Sequence, residues 1–360
     1  MTPGHATAAA GEGLRQEYAR LRQKKVRFIA ALLLILVVLA GVSVTIGSAN
    51  LSMAESYAAI IAGIFPGAVD VPEIAQVIVW DYRLHRVMFA MVAGFGLAIS
   101  GSVMQGILRN PLASPFTLGI SSAATTGAAL AIVAGAGVAG GEYLIVANAF
   151  LFSLIATFAI YAMARYRGMG AESMILAGIA LMYLFSAITA LLQYFSSAEQ
   201  LQEVVFWVFG SVDKSSWLKL GVSGSVLLVF VPYLLVRAWD LNALAEGDEV
   251  AGSLGVPVDR SMAIFMFIAS LITAGIICFT GTIGFIGLVA PHITRMAIGG
   301  DHRALLPASG LVGAALLLGA DCAARTLIQG ATIIPVGIVT IFLGVPFFLY
   351  LFMRRRGSGW

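Results

Sequence analysis

The chain has 360 residues, 60% of them hydrophobic and 11% charged, with a net charge of +3 and a mean hydropathy of +0.96. Soluble domains carry roughly 25% charged residues, so a soluble fold is excluded. Charge-free runs as long as the 32 residues of Asn110–Gly141 exclude the short alternating strands of a membrane barrel.

The chain opens on a polar arm, residues 1–27, ending in "RLRQKKVR". The arm is too long for the head of a signal peptide, and no small-residue cleavage site follows it. Ten membrane helices are expected after it, over 28–46, 87–108, 115–134, 143–164, 172–195, 217–236, 261–280, 284–297, 305–324 and 335–353. The fold class is therefore all-α and polytopic, with a transmembrane domain over 28–353 and a short tail over 354–360. The eighth span is short and contains Pro291, as broken segments do where protein or a cavity covers the backbone.

Between these spans, residues 47–82 carry Pro66, Pro72 and Trp80 and are expected at the membrane interface. "RNPLASP" reads as a re-entry turn in which Pro115 suits the first turn of the third helix. Residues 198–212 keep apolar positions at helical spacing and predict a short helix lying flat on the surface. With the N-terminus placed in the cytoplasm, 16 of the 21 basic residues fall on the inner side, "MRRRG" included, and both termini are cytoplasmic. Arg83, Arg86, Lys214, Lys219 and Arg325 remain outside.

One stretch stands apart, "LNALAEGDEVAGSLGVPVDR" from Leu241 to Arg260, a polar island on the inner side. It reads as two short helices broken at Gly247 and closed at Gly255. Apolar residues recur at Leu241, Leu244, Val250 and Leu254, which suggests docking to another protein rather than an ordinary solvated loop.

Several chemistries are missing from the sequence. There is no GxxxxGK[ST] phosphate loop, no HExxH and no Ser/His/Asp grouping, and His5, His85, His292 and His302 are scattered. Cys278 and Cys322 lie in apolar segments and give neither a disulfide framework nor metal spacing. No catalytic residue and no metal site are assigned, and nothing points to nucleic acid. Of the carboxylates, Asp321 is the intramembrane exception; that scarcity weighs against an ion-coupled secondary transporter, the alternative reading.

Four stretches in order, "ISGSVMQGILRNPLASPFTLGISSAATTGA", "GDEVAGSLGV", "GTIGFIGLVAPHITRMAIGGDHRALLPAS" and "IPVGIVTIFLGVPFFLYL", carry a resemblance. The chain resembles the FecCD family, the permease subunits of type II ATP-binding-cassette importers for iron–siderophores, haem and cobalamin. The resemblance implies two permease copies around one path, most simply a homodimer in the cytoplasmic (inner) membrane. It also implies two ATPase subunits that bind ATP–Mg, no cofactor in this chain, and a periplasmic or lipid-anchored substrate-binding protein above. The segment 240–256, with Leu241, Leu244, Glu246, Asp248, Glu249, Leu254 and Gly255, would couple to the ATPase.

The resemblance extends to other positions. Arg83, Arg86 and Arg325 would meet acidic residues of the binding protein; interfacial snorkelling, or pairing with Asp81 and Asp321, is the other reading. His85 departs from a common proline, which puts the local backbone in question. Glu172, Ser173, Met182, Tyr183 and Gln193 would line the path. Glu172 equally suits a helix N-terminus as a charge offsetting the dipole.

Overall fold

The computed structural model describes residues 3–47, 49, 51–168, 170–327 and 334–354. Among them the chain is helical, without a strand. In chain order the helices are α1 (Pro3–Thr45), α2 (Met53–Ile64), α3 (Glu73–Ile78), a π-helical turn over Val79–Leu84, α4 (His85–Ile107), α5 (Ile120–Ala134), α6 (Leu144–Arg167) and α7 (Ala171–Tyr194). There follow α8 (Ala198–Phe209), α9 (Trp217–Val236), α10 (Ala238–Glu246), α11 (Asp248–Ser253), α12 (Val258–Thr280), α13 (Ile286–Ile298), α14 (His302–Thr326) and α15 (Val336–Arg354).

Each of the ten expected spans contains a helix. Seven stretches are long and apolar enough to cross a membrane: Ala19–Thr45, Glu73–Ile107, α6, α7, α9, α12 and α14. Helices α5, α13 and α15 are the shorter apolar elements at the other three positions. Three boundaries differ most from the sequence reading, the first being the second stretch, which begins at Glu73 and not at residue 87. The arm is not separate from the first span, because α1 runs unbroken from Pro3. The third helix starts at Ile120, not at residue 115, because Gly119 takes φ 74° and its Cα lies against α7: a Cβ there would sit 2.8 Å from the Met182 nitrogen. Residues 110–119 therefore enter as irregular backbone, held by Ser114 and Thr117, whose side chains each accept the other's backbone N–H. Such backbone survives at membrane depth only when protein covers it.

Local sequence sets the helix starts. Ser52 and Glu55 form a capping box at α2, and Ser197 and Gln200 form one at α8. The surface helix expected near 198–212 is α8, and the Gln200 amide ties it to the Ile132 and Val133 carbonyls at the end of α5. The irregular backbone before His85 is the π turn, a form that recurs at functional sites.

Helix α4 is the centre, with α14, α12 and α13 packed around it. Helix association in lipid gains little from apolar burial and relies on close packing. The sequence supplies it with small residues: a Cβ at Gly94 would strike the Gly313 carbonyl, and one at Gly101 the Gly287 carbonyl. Helices α1, α7 and α9 are peripheral and largely exposed. One end of the bundle, here the arm face, carries Lys25, Arg109, α10, α11 and the α13–α14 corner. The opposite face carries the end of α1, the start of α4 and the end of α14.

Candidate functional site

On the arm face the polar island is two helices. Helix α10 turns Ala238, Leu241 and Leu244 inward, all essentially buried. Gly247, at φ 127°, breaks the chain. Helix α11 then ends in a Schellman closure: Gly255 takes φ 81°, its N–H bonds the Gly252 carbonyl, and the Val256 N–H bonds the Ala251 carbonyl.

The apolar residues divide into two groups. Leu241 and Leu244, expected to face a partner, are instead packed into the chain's own core and anchor the segment, because spacing of three turns them inward. Val250 and Leu254 are 43% and 68% exposed, beside exposed Glu246 and Glu249. Asp248 pairs with Arg109 at 3.0 Å.

Sequence reading missed Asn242. Its Nδ2 donates to Asp301 Oδ1 at 3.0 Å, and its Oδ1 accepts from the His302 backbone and ring Nδ1, both at 2.8 Å. Lys25 and Arg303 also donate to the Asp301 carboxylate, at 2.9 Å each. Arg303, with Asn242 and Lys25, holds the Asp301 carboxyl well below the usual carboxylate range despite partial burial. Helices α1, α10 and α14 are thereby clamped together. The available signal was a lone amide between two leucines that share one helix face. A cleft of about 1020 Å³ beside the clamp is lined by Arg109, Trp239, Asn242, Val250, Leu254 and Arg295 among others.

At the opposite face the three arginines are not free. Arg83 is 5% exposed and donates to the Val44, Thr45 and Ala49 carbonyls, closing the end of α1. Arg325 bonds the Ser43 and Ile46 carbonyls and pairs with Asp321 at 2.9 Å. Arg86 pairs with the same fully buried Asp321 at 2.8 Å and with Asp213. The surface expected from their charge is therefore an internal lock. Bringing α1, α4 and α14 together leaves orphan carbonyls and one buried carboxylate that the guanidinium groups satisfy. The pairing with Asp321 holds for Arg86 and Arg325. His85 Nε2 donates to the Asp81 carbonyl at 2.5 Å, and its Nδ1 bonds Ser215 Oγ at 2.9 Å.

The expected path residues lie on α7 but not on one face. Glu172 is exposed in the first turn, where it faces the helix dipole, and Ser173 is half-buried beside it. Met174, Ala177, Gly178, Leu181, Phe185 and Thr189 form the face buried against the bundle. Met182 sits half-buried next to Gly119, and Tyr183 is 69% exposed. Gln193 lines a cavity of about 340 Å³. Among the described residues no three His, Cys, Asp or Glu side chains gather as a metal site.

Residues 32–354 match the FecCD transport family. A Methanocaldococcus jannaschii protein assigned as an ABC transporter permease is 42% identical, covering 94% of this chain and 97% of its own. The cobalamin import system permease of Halobacterium salinarum is 41% identical over 79% of this chain and 76% of its own. A solved structure assigned as a metal-chelate type ABC transporter, in an inward-facing conformation, superposes with a TM-score of 0.80 at 32% identity. That match covers 91% of this chain and 99% of the other.

Proposed function

The chain belongs to the FecCD transport family, the permeases of ABC importers, and from that premise we propose that it carries a large metal chelate inward across the cytoplasmic membrane. An iron–siderophore is the first choice of cargo, with haem or cobalamin next; the cobalamin relative and the metal-chelate structure support that class. Two copies enclose the path, the arm face is cytoplasmic, and a substrate-binding protein delivers cargo at the opposite face. The permease performs no chemistry. Separate ATPase subunits bind ATP–Mg and drive alternating access.

One observation carries this reading. The chain has no phosphate loop, yet α10 and α11 at its arm face leave Val250, Leu254, Glu246 and Glu249 exposed. An exposed apolar pair on a segment clamped to the core is suited to receive force from another protein. The clamp also links α10 to α14, and α14 runs the length of the bundle to Asp321. Displacement of the segment would thus reach the opposite face along one helix. Buried Asp321 is committed to two arginines, which argues against its use as a proton relay.

The test is uptake in vesicles holding the permease with a co-expressed ATPase and binding protein. Chelate accumulation should require ATP and survive collapse of the proton and sodium gradients. Purified permease alone should hydrolyse no ATP. Gradient-driven uptake without an ATPase would reject the proposal.

A further inference from the structure

Helix α1 is strongly basic at its arm end. Between residues 17 and 27 it holds Arg20, Arg22, Lys24, Lys25 and Arg27 against one carboxylate, Glu17. Lys25 donates to Asp301 at 2.9 Å. Arg20, Arg22, Lys24 and Arg27 are exposed and have no acidic partner among the described residues. Like charges one turn apart on a helix repel each other, so such a group calls for anions from outside the chain.

The direction in which these charges point is fixed. Lys25 fastens the arm end of α1 to Asp301, and Arg83 and Arg325 donate to carbonyls at its other end. Phe28, Leu32, Leu36 and Leu39, on the Lys25 side of the helix, pack against the core. Held at both ends and along that side, α1 resists sliding and rolling. Arg20, Lys24 and Arg27 occupy a different side, which helical spacing makes them share with Ala31, Leu34 and Val38. All six are exposed, Leu34 by 66% and Val38 by 57%. Exposed apolar residues on a spanning helix meet lipid chains, so the three bases continue the lipid-facing side of one rod. Depth follows from the rise of about 1.5 Å per residue. The apolar run over residues 28–45 is about 27 Å long, near the roughly 30 Å of a hydrocarbon core. Arg27 then lies at the hydrocarbon edge, with Lys24 about 4.5 Å and Arg20 about 10 Å beyond it. That range covers the headgroup layer and the roughly 10 Å over which the potential of an anionic leaflet decays. Glu17, about 15 Å out, stands past it.

We infer that Arg20, Lys24 and Arg27 form a binding stripe for anionic phospholipid headgroups in the leaflet at the arm face. Their guanidinium and ammonium groups donate to phosphate oxygens, while the acyl chains lie along Ala31, Leu34 and Val38. A zwitterionic headgroup brings its own ammonium to a basic surface, so the stripe selects headgroups of net negative charge. An acidic protein would have to approach a side of α1 whose continuation is sunk in lipid. The inference goes beyond the permease reading, and it depends neither on the cargo nor on which compartment the arm face meets.

The test uses the full-length permease in bilayers of phosphatidylcholine and phosphatidylglycerol. Ala31→Cys, in a Cys322→Ser background, carries a bimane one turn below Arg27. Either lipid is supplied with brominated chains, which quench the bimane, so their competition reports the local preference for phosphatidylglycerol. With the native bases that preference should be about threefold or more at 0.1 M salt. It should fall toward one at 1 M, where the Debye length is about 3 Å. Arg20→Gln/Lys24→Gln/Arg27→Gln should abolish it and melt like wild type, since the substituted residues are exposed. Arg20→Lys/Arg27→Lys, which keeps the charge, should retain it. Equal quenching by the two lipids with the native bases, or a preference that survives the glutamine variant, overturns the stripe. A preference that vanishes when a co-expressed ATPase is bound assigns the bases to that protein and equally overturns it. Should the glutamine variant fail to accumulate, Lys24→Glu takes its place: the preference should fall at least about twofold, and an unchanged value overturns the inference.

Discussion

At the face opposite the arm, Arg83 and Arg86 are buried and Arg325 half-buried, and all three spend their donors on the end of α1 and on Asp321. At the arm face, Glu246 and Glu249 stand exposed beside Val250 and Leu254. Both regions read in the sequence as charge outside the membrane, but they hold it for different ends. A charge that must satisfy orphan carbonyls and a buried partner is structural and cannot be removed cheaply. A charge on the exposed side of an anchored helix pair is free to meet a partner, and its loss should spare the fold.

Substitutions that separate stability from assembly test this difference. The largest effect is expected for Asp321→Ala, which leaves Arg86 and Arg325 without their shared carboxylate. Removing one partner of a buried ion pair costs about 3–5 kcal/mol. The purified variant should melt much lower, or fail to accumulate, by fluorescence-monitored unfolding in detergent. A near-wild-type melt would mean that the lock is not structural.

Gly255→Val is next. The side chain would meet open space but must adopt φ 81°, a conformation that costs roughly 1–2 kcal/mol for a residue with Cβ. The strain falls on the end of α11, so the bundle should melt almost normally while ATPase co-purification and uptake drop. Normal assembly and transport would reduce the segment to a loop.

Asp301→Asn should show a smaller effect with a defined pH dependence. The native carboxyl titrates below its unfolded value, so its stabilising contribution is complete above pH about 4, and is lost as pH falls through the lower native value. The wild-type advantage, about 1 kcal/mol after allowance for solvent screening, should be flat from pH 8 to 5 and shrink on further acidification. An advantage that grows in acid would contradict the clamp. Arg109→Ala should matter least for stability, under about 1 kcal/mol, since its pair with Asp248 is partly exposed. A melting shift as large as that of Asp321→Ala would erase the distinction between the two faces.

The sequence carried the helical fold, the ten spans and the break at Gly247, because glycine and long apolar runs act locally. It carried the short surface helix α8 through the spacing of its apolar positions. It could not tell Leu241 and Leu244 from Val250 and Leu254, since all four are apolar at helical spacing and only packing against the core separates them. Nor could it show that Arg83 closes α1, because its acceptors lie 34 to 39 residues away. The faces of α7 were equally silent: a helix apolar all round has no moment, and its buried stripe is set by close contact with α5. Asn242 looked like one polar residue among several until the fold brought Asp301 beside it.

The central claim is that α10 and α11 form the seat of a separate ATPase. The most direct measurement is the stoichiometry of a co-expressed ATPase subunit purified with tagged Val250→Asp/Leu254→Asp permease, beside the melting temperature of the permease itself. Both residues are exposed, so the melt should match wild type while the ATPase is lost and ATP-driven uptake with it. Retention of the ATPase at wild-type stoichiometry, with uptake intact, would contradict the account.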